Sequence, residues 1–489
     1  MTAAYIAFHA AQRPDGVALI DNGHAITYAE FSRDIRKFTR ALREFDLSYG
    51  APVAVVCENV YIHWLLRLAC EELGLVTASL LPEQENLLGL DPSLGEFDLV
   101  LSDKMVDGKG IARHHLIDPQ WLEAVQGRED NGELPAISKR PEDPLRILHT
   151  SGTTGTPKRL LYPRRVHERS VAKSMWFNGV THRSRYQLAI PFTVGASYAN
   201  ATACIRSGAT IVFNDRMPVA EVILRHGITH LAIPPFYLKQ TLDDLPRGFA
   251  RPAELTIFSF GAALSSALRE KALAGLANEI CDMYGSNEAG YVSSIRSRSP
   301  LQTGLAGVWP GVQVEIVDDR DRPLPYGEQG HIRVKTDCMV QGYLDDPKAS
   351  HRMFRDGWFY AGDIGVLADP FRLEVLGRGD ELLNIGWRKL SPAYLEGLVM
   401  KIGDVGDVGV CSLPNAEGIE EIYVAVSPGR TSYEDLIARL NKPFTTLQLG
   451  RYYVVPAARI PRNANGKIQR DVLKQDIVMA IGRKAPPAF

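Results

Sequence analysis

Apolar residues recur along this chain at two alternating spacings. Residues 17–20 form a short apolar run that predicts a strand, and Asp21-Asn22-Gly23 supplies a tight reversal. Thr27 and Glu30 stand three apart as a capping box. They open a helix whose apolar face is Phe31, Ile35, Phe38 and Leu42. A second apolar run at 53–56 predicts a buried strand, and 61–73 predicts a helix. Strands are expected again at 210–213, 230–233, 255–260 and 280–283, each followed by a loop rich in Gly, Pro or Ser. Alternating strands and helices imply mostly parallel sheets covered on both faces. In such sheets ligands gather at the carboxyl ends of the strands.

From about residue 300 the pattern changes. Short β runs such as 312–317 and 331–334 are punctuated by Gly304, Gly307, Gly311, Gly327, Gly330 and Gly342, which predicts an antiparallel, barrel-like subdomain. The end of the chain reads as an α+β unit of its own. It has strands at 422–426 and 452–455, a helix near 433–440 and a last helix from about 469. The expected fold is therefore α/β. A large N-terminal domain over 1–379 holds two mostly parallel α/β layers and the barrel-like subdomain, and a smaller α+β domain occupies 380–489.

Composition narrows the function classes. With 489 residues, 45% of them hydrophobic, the chain can bury a large core and form two or more domains. A net charge of -2 without a basic block argues against nucleic acid or an anionic membrane as partner. No apolar run reaches the ~18 residues of a membrane span. The start Met1-Thr2-Ala3-Ala4-Tyr5 lacks the pattern of a signal peptide. The six cysteines are scattered and read as reduced thiols of a cytoplasmic protein, and no His/Cys spacing suggests zinc.

The chemistry starts at residues 150–158, Thr-Ser-Gly-Thr-Thr-Gly-Thr-Pro-Lys. Gly152 and Gly155 let backbone amides approach an oxyanion; Thr153, Thr154 and Thr156 add hydroxyl donors after Ser151, and Lys158 adds charge. This suits a polyphosphate. A P-loop would need its lysine at the start of a helix. Here Pro157 precedes the lysine and residues 159–163 read as a strand, so a strand-turn-strand clamp is expected.

Four further sites each have a bland reading when taken singly. Tyr284-Gly285-Ser286-Asn287-Glu288 is either a strand-end turn or an aromatic ring for a base beside a carboxylate for magnesium. Asp363 sits in a Gly-flanked turn, as a capping acid or a ligand for a ribose diol. Gly377-Arg378-Gly379-Asp380 falls where the texture changes and reads as a linker. Asn465-Gly466 favours a turn that projects Lys467, a solvated or a catalytic lysine.

Taken together, these five motifs resemble, in order and spacing, the adenylate-forming superfamily of acyl-CoA synthetases, aryl-acid ligases, luciferases and nonribosomal adenylation domains. The resemblance runs from Leu148 to Arg470. It implies ATP-dependent activation of a carboxylic acid to an acyl-adenylate, with transfer to a pantetheine thiol. It implies ATP, Mg2+ and coenzyme A, or the phosphopantetheine of a carrier protein. By that resemblance the 151–158 loop grips the β- and γ-phosphates, Glu288 holds magnesium and Asn287 approaches the α-phosphate. Tyr284 and Gly285 meet adenine, Gly261, Ala262 and Ala263 border the same pocket, and Asp363 and Arg378 bind the ribose. Lys467 bridges substrate carboxylate and α-phosphate. Asp380 is the hinge of a mobile small domain, and Gly386 lines the thiol channel.

The sequence departs from the family pattern in places. Asn287 replaces a usual threonine, and Asn384 a common lysine. Gly261-Ala262-Ala263 has one glycine fewer than usual, and no histidine follows Pro191. Amino-acid-activating members carry an aspartate near 193–197, and this chain has none there. The expected pocket residues Phe192, Ser197, Tyr198, Pro235, Phe236 and Tyr291 are mostly aromatic or small. They fit an aryl or short-to-medium acyl acid. An enzyme charging a separate carrier protein and a non-catalytic nucleotide-binding protein are the rival readings.

Overall fold

The computed structural model describes residues 2–80, 97–105, 113–130, 137–150, 158–190, 194–213, 216–299, 305–379, 381, 383–385, 388–414, 420–446, 452–463 and 466–481. The chain folds into two compact units. The first comprises Met1–Ala232, Ser286–Gly290 and Thr336–Phe354; the second comprises Ile233–Gly285, Tyr291–Lys335 and Arg355–Phe489.

The first unit contains two sheets. In one, the strands run His114–Leu116, Leu99–Ser102, Pro52–Val56, Val76–Leu80, Pro144–Thr150 and Lys158–Pro163. All neighbours are parallel except the last pair. The other orders His230–Ala232, Arg185–Leu188, Thr210–Phe213, Val17–Asp21 and His24–Thr27, parallel until the closing hairpin. The expected capping box forms. Thr27 accepts from the Glu30 amide, the Glu30 carboxylate accepts from the Thr27 amide, and the helix Tyr28–Arg43 follows. Its predicted apolar face is buried throughout.

The second unit orders its strands Val312–Val317, Gln329–Thr336, Trp358–Asp369, Arg372–Arg378, Ala306–Val308, Gly290–Ser297, Glu279–Ser286 and Thr256–Phe260. The antiparallel texture expected after residue 300 is present. Among the described residues its strands lengthen an open sheet and do not close into a barrel. The smaller C-terminal domain has the strand order Val408–Pro414, Glu420–Val426, Tyr452–Pro456, with helices Pro392–Ile402, Tyr433–Thr446 and Arg470–Ile481. Leu395, Val399, Leu440, Phe444 and Val454 form its core.

The core of the first unit holds an unusual density of charge. The Tyr198 ring is sandwiched between two guanidinium groups, with Arg67 3.5 Å and Arg146 3.8 Å from its centroid. Its hydroxyl donates to Glu71 at 2.8 Å. All four side chains are at most 2% exposed. Burial, aided by Arg67, pushes Arg146 down to about 9. Tyr198 is pushed upward by burial and then by Glu71.

His63 is wholly buried nearby in sequence, its ring nitrogens against the Cys57 carbonyl at 3.1 Å and the Ser79 hydroxyl at 2.8 Å. Burial first, then Arg67, pushes it down to about 3. An unfolded histidine takes a proton near pH 6.5, whereas the folded one stays neutral until about 3. Stability is therefore expected to fall as pH drops below about 6.5, by up to about 1.4 kcal/mol per pH unit for this one site. Unfolding midpoints between pH 7 and 5 should fall less steeply for His63→Gln than for the parent. Parallel curves would remove His63 from the account.

Candidate active site

The clamp has the expected architecture. Pro144–Thr150 and Lys158–Pro163 pair antiparallel, with Thr150 opposite Lys158, so a reversal joins two strands and no helix opens at the lysine. Residues 151–157, which include Ser151, Gly152, Thr153, Thr154 and Gly155, lie outside the described residues. So do Phe192, Asp380 and Gly386.

Within the first unit Lys158 and Glu288 meet on one aromatic ring. The Lys158 ammonium lies 4.8 Å from the Tyr343 ring centroid and 4.0 Å from Asp346. The Tyr343 hydroxyl donates to Glu288 Oε1 at 2.9 Å. The Tyr162 hydroxyl donates to the Asn287 carbonyl, and the Val340 amide donates to the Glu288 carbonyl at 3.0 Å. The 286–290 turn is thereby pinned by strand and loop partners. Among the described residues no cluster of three or more His, Cys, Asp or Glu could cage a metal. A lone carboxylate suits Mg2+, which keeps waters and completes its shell with substrate phosphates.

Gly195 opens the helix Gly195–Arg206 against this turn. A Cβ there would stand 2.8 Å from Asn287 Oδ1 and 2.9 Å from Leu148 Cδ1. Glycine is thus favoured by close approach rather than by backbone angle, and a larger residue would displace those side-chain ends. Ser197 and Tyr198, expected in the substrate pocket, are both fully buried. Tyr198 is spent on the Arg67–Arg146–Glu71 cluster, a long-range arrangement that local sequence does not announce.

In the second unit Tyr284, Asp363 and Arg378 form one network. The Tyr284 hydroxyl donates to Asp363 Oδ2 at 2.6 Å, and Arg378 Nε faces Asp363 Oδ1 at 3.2 Å. Arg378 also donates to the Ala361 carbonyl at 2.5 Å. Asp363 was expected in a turn. It lies instead inside the strand Trp358–Asp369, opposite Arg378. Gly362, at φ 75°, kinks that strand in place of a turn, and the register shifts between Ile364 and Gly365. Burial raises the Asp363 pKa, while Arg378, then the Tyr284 hydrogen bond, and then Lys467 pull it back.

Lys467 thus has its charge within reach of Asp363. Its loop is closed on itself: the Lys467 amide donates to Asn463 Oδ1 at 3.0 Å, and the Asn463 amide returns to the Lys467 carbonyl at 2.9 Å. The loop is seated on the helix Pro235–Asp243. Arg462 caps the Phe236 ring at 4.5 Å and bonds Asp407 and the Gly466 carbonyl at 2.8 and 2.7 Å. Gly466 adopts φ 75°, and a Cβ there would lie 3.2 Å from Phe236 Cβ. Gly261, Ala262 and Ala263 are exposed just past the strand Thr256–Phe260, as is Gly285 at the end of its neighbour. Pro235 is buried at the start of its helix, and Tyr291 packs on Trp309 at 5.2 Å.

Sequence reasoning missed Tyr343, Tyr162 and the Arg462–Asp407 pair. Tyr343 follows Gly342 and could have been marked only by its pairing with Leu160 across the chain.

The geometry offers a lysine and a carboxylate fit for phosphate and metal in one unit. The other offers a tyrosine, an acid and an arginine fit for a nucleoside, with a second lysine beside them. The sequence model described as "AMP-binding enzyme" matches residues 6–87 and 96–344. The chain is 26% identical over 501 residues to a 4-chlorobenzoate–CoA ligase of Arthrobacter sp, covering 96% of this chain and 94% of that one. It is 26% identical over 496 residues to the 2-succinylbenzoate–CoA ligase of Bacillus subtilis (strain 168), covering 94% and 95%. ATP-bound MatB from Rhodopseudomonas palustris has the same fold, with a TM-score of 0.84 at 22% identity over 97% of this chain and 99% of that one. A match over most of the chain to that model places the chain in the AMP-binding enzyme family.

Proposed function

We propose that this enzyme joins a carboxylic acid to a pantetheine thiol in two steps, as an AMP-forming acid–thiol ligase. The substrate carboxylate attacks the α-phosphorus of ATP, an acyl-adenylate forms and pyrophosphate leaves. The thiol then attacks the acyl carbon, and AMP leaves as the thiol proton is lost. Positioning and charge neutralisation carry such a reaction.

The observation that carries this reading is Lys467, whose charge acts on Asp363 from a loop docked on Phe236. There it can neutralise the carboxylate and the α-phosphate together. Asp363 and Arg378 take the ribose, and Tyr284 and the 261–263 backbone take the base. Lys158 and the 151–157 loop take the β- and γ-phosphates, with Asn287 near the α-phosphate. Glu288 is the residue that would hold Mg2+, which supplies charge to the phosphates. Residues 380–489 form the mobile small domain, which turns about Asp380 and brings Gly386 to the thiol.

The acid is aryl or short-to-medium acyl. Phe236 and Tyr291 offer aromatic surface, and residues 193–197 contain no aspartate to pair with an α-ammonium. The named relatives act on 4-chlorobenzoate and 2-succinylbenzoate, both aryl acids. Coenzyme A is the acceptor. The six cysteines are free and buried, which supports a reducing, cytoplasmic setting.

ATP–pyrophosphate exchange across a panel of aryl, acyl and amino acids tests the reading. Exchange with aryl or acyl acids, followed by trapping on coenzyme A, is the expected result. Thioester formed only on a carrier protein would change the acceptor, and exchange with amino acids alone would overturn the acid class. No exchange with any acid would leave only a nucleotide-binding protein.

A further inference from the structure

We infer that Tyr343 is a positioning residue that couples the phosphate-side lysine to the metal-side carboxylate. The inference rests on the roles proposed above for Lys158 and Glu288. One side chain serves both: its hydroxyl donates to Glu288 Oε1 at 2.9 Å, and its ring face carries the Lys158 ammonium at 4.8 Å. With one carboxylate oxygen occupied by a phenol, the other would be left for a metal ion. Hydrogen-bond partners of this kind fix a ligand's orientation and raise its affinity. The ring likewise offers Lys158 an alternative to the carboxylate of Asp346, 4.0 Å away.

Tyr343 is itself firmly held. Its backbone bridges to Leu160, two residues past Lys158, and its amide donates to the Ser350 hydroxyl at 2.8 Å. The neighbouring Leu344 amide donates to the Arg159 carbonyl at 2.8 Å. The ring packs among Leu148, Leu160, Tyr162 and Val340. A plain core tyrosine would share that packing, so the hydroxyl must be separated from the ring.

Tyr343→Phe keeps the packing and removes only the hydroxyl. The test measures Mn2+ affinity of the enzyme bound to a non-hydrolysable ATP analogue, by electron paramagnetic resonance of free Mn2+. Affinity is expected to fall about 10-fold in Tyr343→Phe, at the lower end of what loss of such a partner does. In a Glu288→Gln background the same change should add nothing, because the two act as one unit. Analogue affinity at saturating Mn2+ should hold in Tyr343→Phe and fall in Tyr343→Leu, which also loses the ring face. Unchanged Mn2+ affinity in Tyr343→Phe, with a drop in Glu288→Gln, overturns the coupling and keeps the metal role of Glu288. No drop in Glu288→Gln overturns both.

Discussion

Lys467→Ala is expected to lower adenylate formation by about 10²–10³-fold while leaving thioester formation from supplied acyl-adenylate near the parental rate. The asymmetry follows from where the lysine is held. Arg462 on Phe236, Asn463 across the turn and the close contact of Gly466 fix its loop before substrate arrives. A charge fixed in advance stabilises developing negative charge without reorganising, so its loss falls on the step it faces. The proposed rotation then carries it away before the thiol reacts. Asp380→Pro should give the mirror image, with normal exchange and a blocked thioester step, because proline removes the freedom a hinge needs. Single-turnover assays of each half-reaction decide the matter. Equal loss in both for Lys467→Ala, or normal thioester formation by Asp380→Pro, contradicts the division of labour.

Glu71→Gln is expected to destabilise the fold by about 3–5 kcal/mol, with little direct effect on the chemistry. Glu71 is the carboxylate that receives the hydroxyl of Tyr198, whose ring lies between two buried guanidinium groups. Its neutralisation leaves Arg67 and Arg146 with less countercharge where water cannot compensate. Adding Arg146→Leu to Glu71→Gln should recover part of the loss, since it removes one of the stranded charges. Urea and thermal melting of the single and double variants check this. A Glu71→Gln protein that melts like its parent would show that the cluster is not held by charge.

Much of the fold was legible because its signals are local. Thr27 and Glu30 cap a helix through atoms three residues apart, and Pro157 with the strand after it excluded a helix at Lys158. Asp363 misled because Gly357 and Gly362 look like the ends of a turn; a positive φ also serves to kink a long strand. The Tyr198 cluster could not be read because its partners Arg67, Glu71 and Arg146 come from distant elements, and an aromatic residue in an apolar helix carries no mark of them. Tyr343 was invisible for the same reason, lying 55 residues from the carboxylate it holds. The antiparallel texture after residue 300 was read correctly, but closure of a sheet depends on which edges meet, and no single run encodes that.

Any side chain introduced at Gly195 strikes Asn287, the residue beside the proposed metal carboxylate. An acid introduced at 195 would have to push aside the ends of the Asn287 and Leu148 side chains. The missing methyl group at Gly195 thus ties the start of its helix to the side chain standing beside the proposed metal carboxylate.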